Sequence, residues 1–383
     1  MTTTSARLTA VRAQATGPAP DAVAQLVATL RDGLGGRIPT LLMFFASSTY
    51  DPTELVGPLT HAFATSCVVG CSTAGEFTDQ GSGDGGISAI ALPDSVIIRG
   101  AAALAELHSD TTAGMLTAIS SVERTLGKTL RSLDPSNHVG FVLIDGMHGA
   151  EEAINEALGD AAPLLDVVGA SAGDDLAFEQ TWVSVGHQVS FRGAALVVCE
   201  TARPFTVLKT CTLVPTGKKL RVTRADVARR TVHEFDGRPA TEAYAEAVGR
   251  PSAELDSLVF MAHPLGVMVD GAPFVRSPQV VTGDGAIRFY CQVVEGMEVD
   301  VMQSGDLIAD TSAAFTAAVD RLGGTVSGAV LFNCILRRLE LDASGQTQEF
   351  VDVFRGVPVA GFHSYGESWL GHMNQTLTGV LFA

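Results

Sequence analysis

Three times along the chain an apolar run, a helical stretch and a second apolar run lead into a short glycine loop that ends on an acid. This recurrence constrains the fold more than any single motif does. In the first copy Leu41-Leu42-Met43-Phe44-Phe45 precedes a helical stretch from Pro52 to Phe63, followed by Val68-Val69-Gly70-Cys71-Ser72-Thr73-Ala74-Gly75-Glu76 and an apolar run over 87–92. The second copy has Phe141-Val142-Leu143-Ile144, a helix over 150–158, Val167-Val168-Gly169-Ala170-Ser171-Ala172-Gly173-Asp174 and the run 194–198. The third has Ala329-Val330-Leu331-Phe332, an amphipathic stretch near 348–354, Val359-Ala360-Gly361-Phe362-His363-Ser364-Tyr365-Gly366-Glu367 and the run 377–382. Short β-branched runs suit strands covered on both faces, and the segments between them have helical length. The fold class that follows is α/β, with repeated strand-helix-strand-loop-strand units in two domains with mixed sheets. The paired loop glycines point to positive φ or a close backbone approach, and each acid places one carboxylate beside its loop.

Between the second and third copies the pattern changes. Thr223-Arg224-Ala225-Asp226 reads as a capped helix start continuing through Val232, and 240–248 as a second helix stopped by Gly249 and Pro251. The strand-like runs 287–294 and 297–302 meet at Glu295-Gly296, which predicts a hairpin. With a boundary near 200–220, the chain divides into an N-terminal segment over 1–36, a domain of two units over 37–205, and a second domain over 206–383 holding the third unit and the insert.

At 383 residues, 46% hydrophobic and 17% charged, the chain can bury more than one core. A net charge of -17 repels phosphate backbones and anionic headgroups, so nucleic acid and membrane surfaces are poor partners. Residues 1–15 lack the apolar centre of a signal peptide, and no apolar run approaches the roughly 20 residues a bilayer requires. A cytoplasmic location is expected. The six cysteines, at 67, 71, 199, 211, 291 and 334, form no C-x-x-C pair and read as reduced thiols.

Binding suits these loops better than catalysis does. Gly169-Ala170-Ser171-Ala172-Gly173 has the spelling of a nucleophile elbow, but no helix signature follows it. Cys71 and Ser72 have no base that the sequence identifies. An enzyme of unknown reaction stays an alternative on those residues. None of the nine histidines has zinc-site spacing. A haem needs only one or two axial side chains and an apolar slot, and leaves almost no spacing signature. The pocket is expected where the third glycine loop faces the end of the strand carrying Cys334 and Arg337. There Gly361 and Gly366 allow close approach, Tyr365 supplies a wall, and Arg337, Glu367 and Asn374 supply polar anchors. Such a site suits a ligand with one charged edge and one apolar face.

The segments 70–76, 169–175, 223–239 and 361–367 together resemble the FIST family, whose amino- and carboxy-terminal domains occur in bacterial sensory proteins. Asn333-Cys334-Ile335-Leu336-Arg337-Arg338-Leu339-Glu340 and His372-Met373-Asn374-Gln375-Thr376 are similar to the haem-binding, nitric-oxide-sensing subgroup called NosP. The resemblance implies a non-enzymatic sensor carrying haem b on His372 or His363 and reporting nitric oxide to a separate partner such as a histidine kinase, with a homo-oligomer left open. The alternative within the same class is a haem-free sensor of an amino acid or similar small metabolite.

Overall fold

The computed structural model describes residues 9–108, 110–269 and 271–383, so the first eight residues of the expected 1–36 segment lie outside the described residues. The rest of that segment is no separate element. It forms β1 (Val11–Thr16) and α1 (Ala19–Gly33), which open a first unit continued by β2 (Leu41–Ser47), α2 (Pro52–Ala62), β3 (Cys67–Thr73), a hairpin of β4 (Glu76–Thr78) and β5 (Gly81–Gly83), and β6 (Gly86–Leu92). The second unit repeats that order: β7 (Ile97–Glu106), α3 (Thr111–Leu126), β8 (His138–Ile144), α4 (Glu151–Ala161), β9 (Val167–Ser171), a hairpin of β10 (Val183–Val185) and β11 (Gln188–Ser190), and β12 (Gly193–Thr201).

The third unit begins with β13 (Phe205–Thr210) and is then interrupted. The insertion comprises β14 (Leu213–Asp226), β15 (Thr231–Phe235), β16 (Arg238–Pro239), α5 (Ala240–Val248), α6 (Ser257–Ala262), β17 (Leu265–Val269), β18 (Ala272–Arg276), β19 (Pro278–Val281), β20 (Ile287–Phe289) and β21 (Glu298–Ser304). The unit resumes with α7 (Leu307–Arg321), β22 (Gly328–Cys334), α8 (Ile335–Ser344), α9 (Thr347–Asp352), β23 (Val359–Ser364), a hairpin of β24 (Gly366–Ser368) and β25 (His372–Met373), and β26 (Leu377–Phe382). The repeat is therefore longer than its sequence signature, and the mixed α/β class holds.

In each unit the central strand runs parallel to the strand after its helix and antiparallel to the return strand, as in β2 with β3 and β6, β8 with β9 and β12, and β22 with β23 and β26. The hairpins are exchanged around a ring. β4 pairs with β23 of the third unit, β24 with β9 of the second, and β10 with β3 of the first. Each six-stranded sheet is thus completed by its neighbour.

Side-chain alternation explains why the central strands are apolar throughout. Met43 and Phe45, Phe141 and Leu143, and Val330 and Phe332 point into one core shared by the three sheets. The alternate residues Leu42 and Phe44, Val142 and Ile144, and Ala329 and Leu331 face three private cores under the helices. At the centre the ring centroids of Phe45 and Phe362 lie 4.9 Å apart and those of Phe332 and Phe362 5.5 Å apart. Gly70, Gly169 and Gly361 occupy the same register position opposite Phe44, Val142 and Leu331. A Cβ there would meet the Phe44 ring at 2.5 Å, the Val142 carbonyl oxygen at 1.9 Å or the Leu331 carbonyl oxygen at 2.2 Å. These glycines serve close strand approach, with no positive φ.

The insertion departs from two sequence expectations. Residues 213–226 are a long strand rather than the start of a helix at Thr223, because Leu220 and Val222 alternate into a core with Val232, Phe235, Tyr244 and Phe289. The runs around Glu295-Gly296 do not form a hairpin with each other. β20 pairs with β15 and β19, and β21 with β14 and β17. The helix over 240–248 is present and ends on Gly249 at φ 72. In the third unit α8 follows β22 directly, so Arg337 and Arg338 lie on a helix that periodicity did not reveal.

Candidate functional site

The carboxyl ends of β8, β9 and β23 converge beneath the insertion, and a cavity of 320 Å³ lies between them and it. One wall is the segment Gly146–Gly149 after β8 with Glu151 at the start of α4. Another is Phe178 and Tyr365 from the second and third loops, and the roof is Arg229 and Arg230 of the β14–β15 turn with Arg288, Phe289 and Tyr290. Phe178 stacks on Tyr365 at a centroid separation of 5.1 Å. A smaller, apolar pocket lined by Cys334, Leu336 and Asn374 adjoins it through the shared residues Phe178, Tyr290 and Tyr365.

Arg230 fastens the roof to the floor. Held at φ 51, it donates to Glu151 at 2.6 Å, to Glu152 at 2.5 Å and to the Tyr290 carbonyl at 2.6 Å. Glu151 is buried and also accepts from Ser171 at 3.0 Å. Burial alone would raise the Glu151 carboxyl, but the positive charges of His372 and Arg230 outweigh it and hold the carboxyl below its usual range. His372 is itself pushed below the ordinary histidine value by burial, so at neutral pH Arg230 is the cation that counts. Arg230's single charge is shared by two carboxylates and Arg229 pairs with Asp226 at 3.8 Å, so the exposed Arg288 is the cavity's cation with no ion-pair partner among the described residues, set beside an aromatic wall. His148 is fixed at the rim through Asp145, which also accepts from Thr181.

The residues expected to form one pocket are distributed over three places. Tyr365, Cys334 and Asn374 line the cavity and its annex. Arg337 is fully buried beside them in the interior, donating to Asn333 at 2.8 Å and Thr311 at 2.7 Å. Glu367 is buried, accepting from Ser364 at 2.5 Å and from the Thr376 hydroxyl and amide at 2.6 and 3.1 Å. Gly361 pairs with Phe77 of β4, and Gly366 lies against the His372 ring. Arg230, Glu151, Arg288, Tyr290 and Phe178 are the cavity residues that sequence reasoning missed. Arg230 was hidden in the expected helix, and Phe178 follows a loop whose backbone turns at Asp175, Leu176 and Phe178, all with positive φ.

For a haem the histidines fit poorly. His363 is sealed between the rings of Phe77 and Phe350 on the helix side of the third sheet, with Nε2 3.2 Å from Ser82 and Nδ1 3.0 Å from Asn333. His372 lines a different cleft, and its Nδ1 is buried without a partner. A metal-bound histidine holds its second ring nitrogen on a carboxylate or carbonyl, which keeps the ring oriented. Among the described residues no group of three or more metal-ligating side chains is brought together.

What these features define is a repeat-built α/β protein with an inserted β-rich domain seated on its strand ends and a cavity between the two. The chain belongs to the FIST family: a FIST N domain matches residues 40–238 and a FIST C domain residues 240–369. FIST domains are associated with small-ligand sensing and are generally sensory rather than catalytic. No curated protein matches the chain. Among the described residues no helix is long and apolar enough to cross a membrane.

Proposed function

We propose that the protein is a non-enzymatic sensor whose ligand is a small anionic metabolite with an apolar face, such as an amino acid or related carboxylic acid, held in the cavity between the strand ends and the insertion. The observation that carries this reading is Arg288, without an ion-pair partner among the described residues, lining with Tyr290, Tyr365 and Phe178 a cavity of 320 Å³. A carboxylate meets the Arg288 guanidinium, and the ring faces take the apolar part. Because Arg230 spans the roof and floor, a ligand that fits one spacing of the two better than another shifts their equilibrium. A separate signalling protein, such as a histidine kinase, reads that shift.

The test is a thermal-shift screen of the purified chain against amino acids and small organic acids, followed by calorimetry. A hit should bind at least ~10-fold more weakly to Arg288→Ala, as expected for loss of a charged hydrogen bond. Hits unaffected by Arg288→Ala and by Tyr290→Ala would overturn the site. Expression with haem supplied gives the complementary control: no Soret band is expected, and one that disappears in His372→Ala would restore the haem reading.

A further inference from the structure

Beside Arg230's cavity, and sharing Gln292 with it, lies a second and larger cleft, of 460 Å³. Its floor is apolar, formed by Leu158 of α4, Ala162 just after that helix, Leu165 and Val167, with Met297 of the insertion also lining it. Its deep end is polar and unsatisfied. Arg276, at the end of β18, donates from Nη1 to the carbonyls of Val275 and His372 at 3.1 and 3.2 Å, while its Nε is buried with no partner. His372 is 4% exposed, and its Nδ1 is likewise buried without a partner. No carboxylate of the chain forms an ion pair with Arg276 among the described residues. Of the acids lining the cleft, Glu152 is already taken by Arg230 and the Gln292 amide, and Glu156 stands exposed at the mouth.

Over the apolar floor hangs Leu370. It is 74% exposed and sits at the tip of the β24–β25 turn with φ 56, followed by Gly371 at φ 137. A large aliphatic side chain held out in the left-handed region, above a groove of its own kind, leaves apolar surface in water on both sides of an empty space. A buried guanidinium N–H without an acceptor, beside an imidazole nitrogen that donates in its Nδ1–H tautomer, and uncovered aliphatic surface along the rest ask for an occupant with an anionic head and a hydrocarbon tail.

We infer that this cleft is a second ligand site, separate from the sensing cavity, that takes a medium-chain aliphatic carboxylate with its head on Arg276 and His372 and its chain along α4 beneath Leu370. The site couples physically to the first, because Glu152 and Gln292 contribute to the wall between them. An acyl chain wedged against α4 therefore bears on the helix that carries Arg230's two carboxylate partners.

Octanoate and octan-1-ol serve as the probes, titrated into the whole chain by calorimetry and by the fluorescence of Trp369. That residue neighbours Leu370 and donates its indole N–H to Asp166 at 2.9 Å. Saturable octanoate binding is expected, with octan-1-ol at least ~10-fold weaker because it lacks the charge. Arg276→Gln should weaken octanoate by a similar factor. Gly159→Leu should abolish binding with the fold intact, since a Cβ at Gly159 meets nothing within 4 Å and the larger side chain fills the groove. The inference is overturned by an absence of saturable binding up to ~10 mM, by equal affinity for acid and alcohol, or by octanoate binding that survives Gly159→Leu in a protein melting like the parent. Failure of the amino-acid site would show instead as loss of the Arg288-dependent hits, which Gly159→Leu does not touch.

Discussion

The first and third glycine loops close on themselves, whereas the second opens outward. In the first, Glu76 accepts from Thr73 at 2.5 Å and from the Gly86 amide at 3.2 Å, where the return strand starts. The third repeats this brace with Glu367, Ser364 and Thr376. At the register position of Thr73 and Ser364 the second loop has Ala172, and the loop is one residue shorter, so no brace forms. Its acid, Asp174, instead accepts from the amides of Phe178, Glu179 and Gln180 at 3.0, 2.7 and 3.0 Å and from the Tyr365 hydroxyl. Ser171 turns to Glu151, and through Glu151 to Arg230 of the insertion. Two copies of the loop therefore hold the ring together, and the copy that lost the brace became the socket where the insertion docks.

The largest effect that sharpens this contrast is expected from Arg230→Ala. It leaves Glu151 buried without its cation and should cost about 3–5 kcal/mol, seen as an early unfolding step of the insertion. A loss below about 1 kcal/mol would mean that the socket is not the docking point. Next in size, Asp174→Ala strips three amides and the Tyr365 hydroxyl of their acceptor and should cost about 2–3 kcal/mol in chemical denaturation. An equally large loss of ligand affinity is expected, because Phe178 and Tyr365 lose their mutual placement.

The two kinds of loop should also differ in the sign of their pH dependence. Burial, only partly offset by the hydrogen bonds they accept, raises Glu76 to about 8 and Glu367 to about 7, from an unfolded value of 4.5. The folded state then holds protons that the unfolded chain has lost. Their contribution is full below pH 4.5 and fades as pH rises through about 7 and 8, on the order of 1.4 kcal/mol for each pH unit that separates the folded from the unfolded value. Glu151, held low, contributes above its unfolded value and loses that contribution in acid. Replacing Glu76 and Glu367 together by Gln should flatten the fall in melting temperature between pH 5 and 8. A double variant that keeps the parent slope would place the titration elsewhere.

The smallest expected effect is that of Ser171→Ala, within about 1 kcal/mol, since Glu151 keeps Arg230. Loss of signalling by orders of magnitude in this variant, with ligand affinity intact, would reopen the case for an enzyme.

Much of the ring was legible in the sequence, because strands covered on both faces write themselves as continuous apolar runs and close strand approach demands glycine at 70, 169 and 361. The outer elements were not. β1, β7 and β13 sit at sheet edges where polar residues interrupt the pattern, as Arg12 and Gln14 do in β1. The long β14 concealed itself by carrying six consecutive exposed residues, Val214–Lys219, before its buried alternation begins. Of the site, Tyr365 and Asn374 were readable as residues following a glycine loop. Arg230 and Arg288 were not, since their role comes from a docking between segments far apart in the chain, which no local spacing records.

The exchange of hairpins around the ring bears on how such a chain can be made by a ribosome. When β9 has emerged, the strand that will cover its open edge, β24, is almost two hundred residues from being synthesised. Until then Gly169, Ala170 and Ser171 offer bare amides and carbonyls to any passing strand, including the β24 of another copy. A nascent chain of this design must be kept from its siblings for the length of that wait, and interlinked dimers formed by trading β24–β25 are the characteristic error to look for when it is produced too fast.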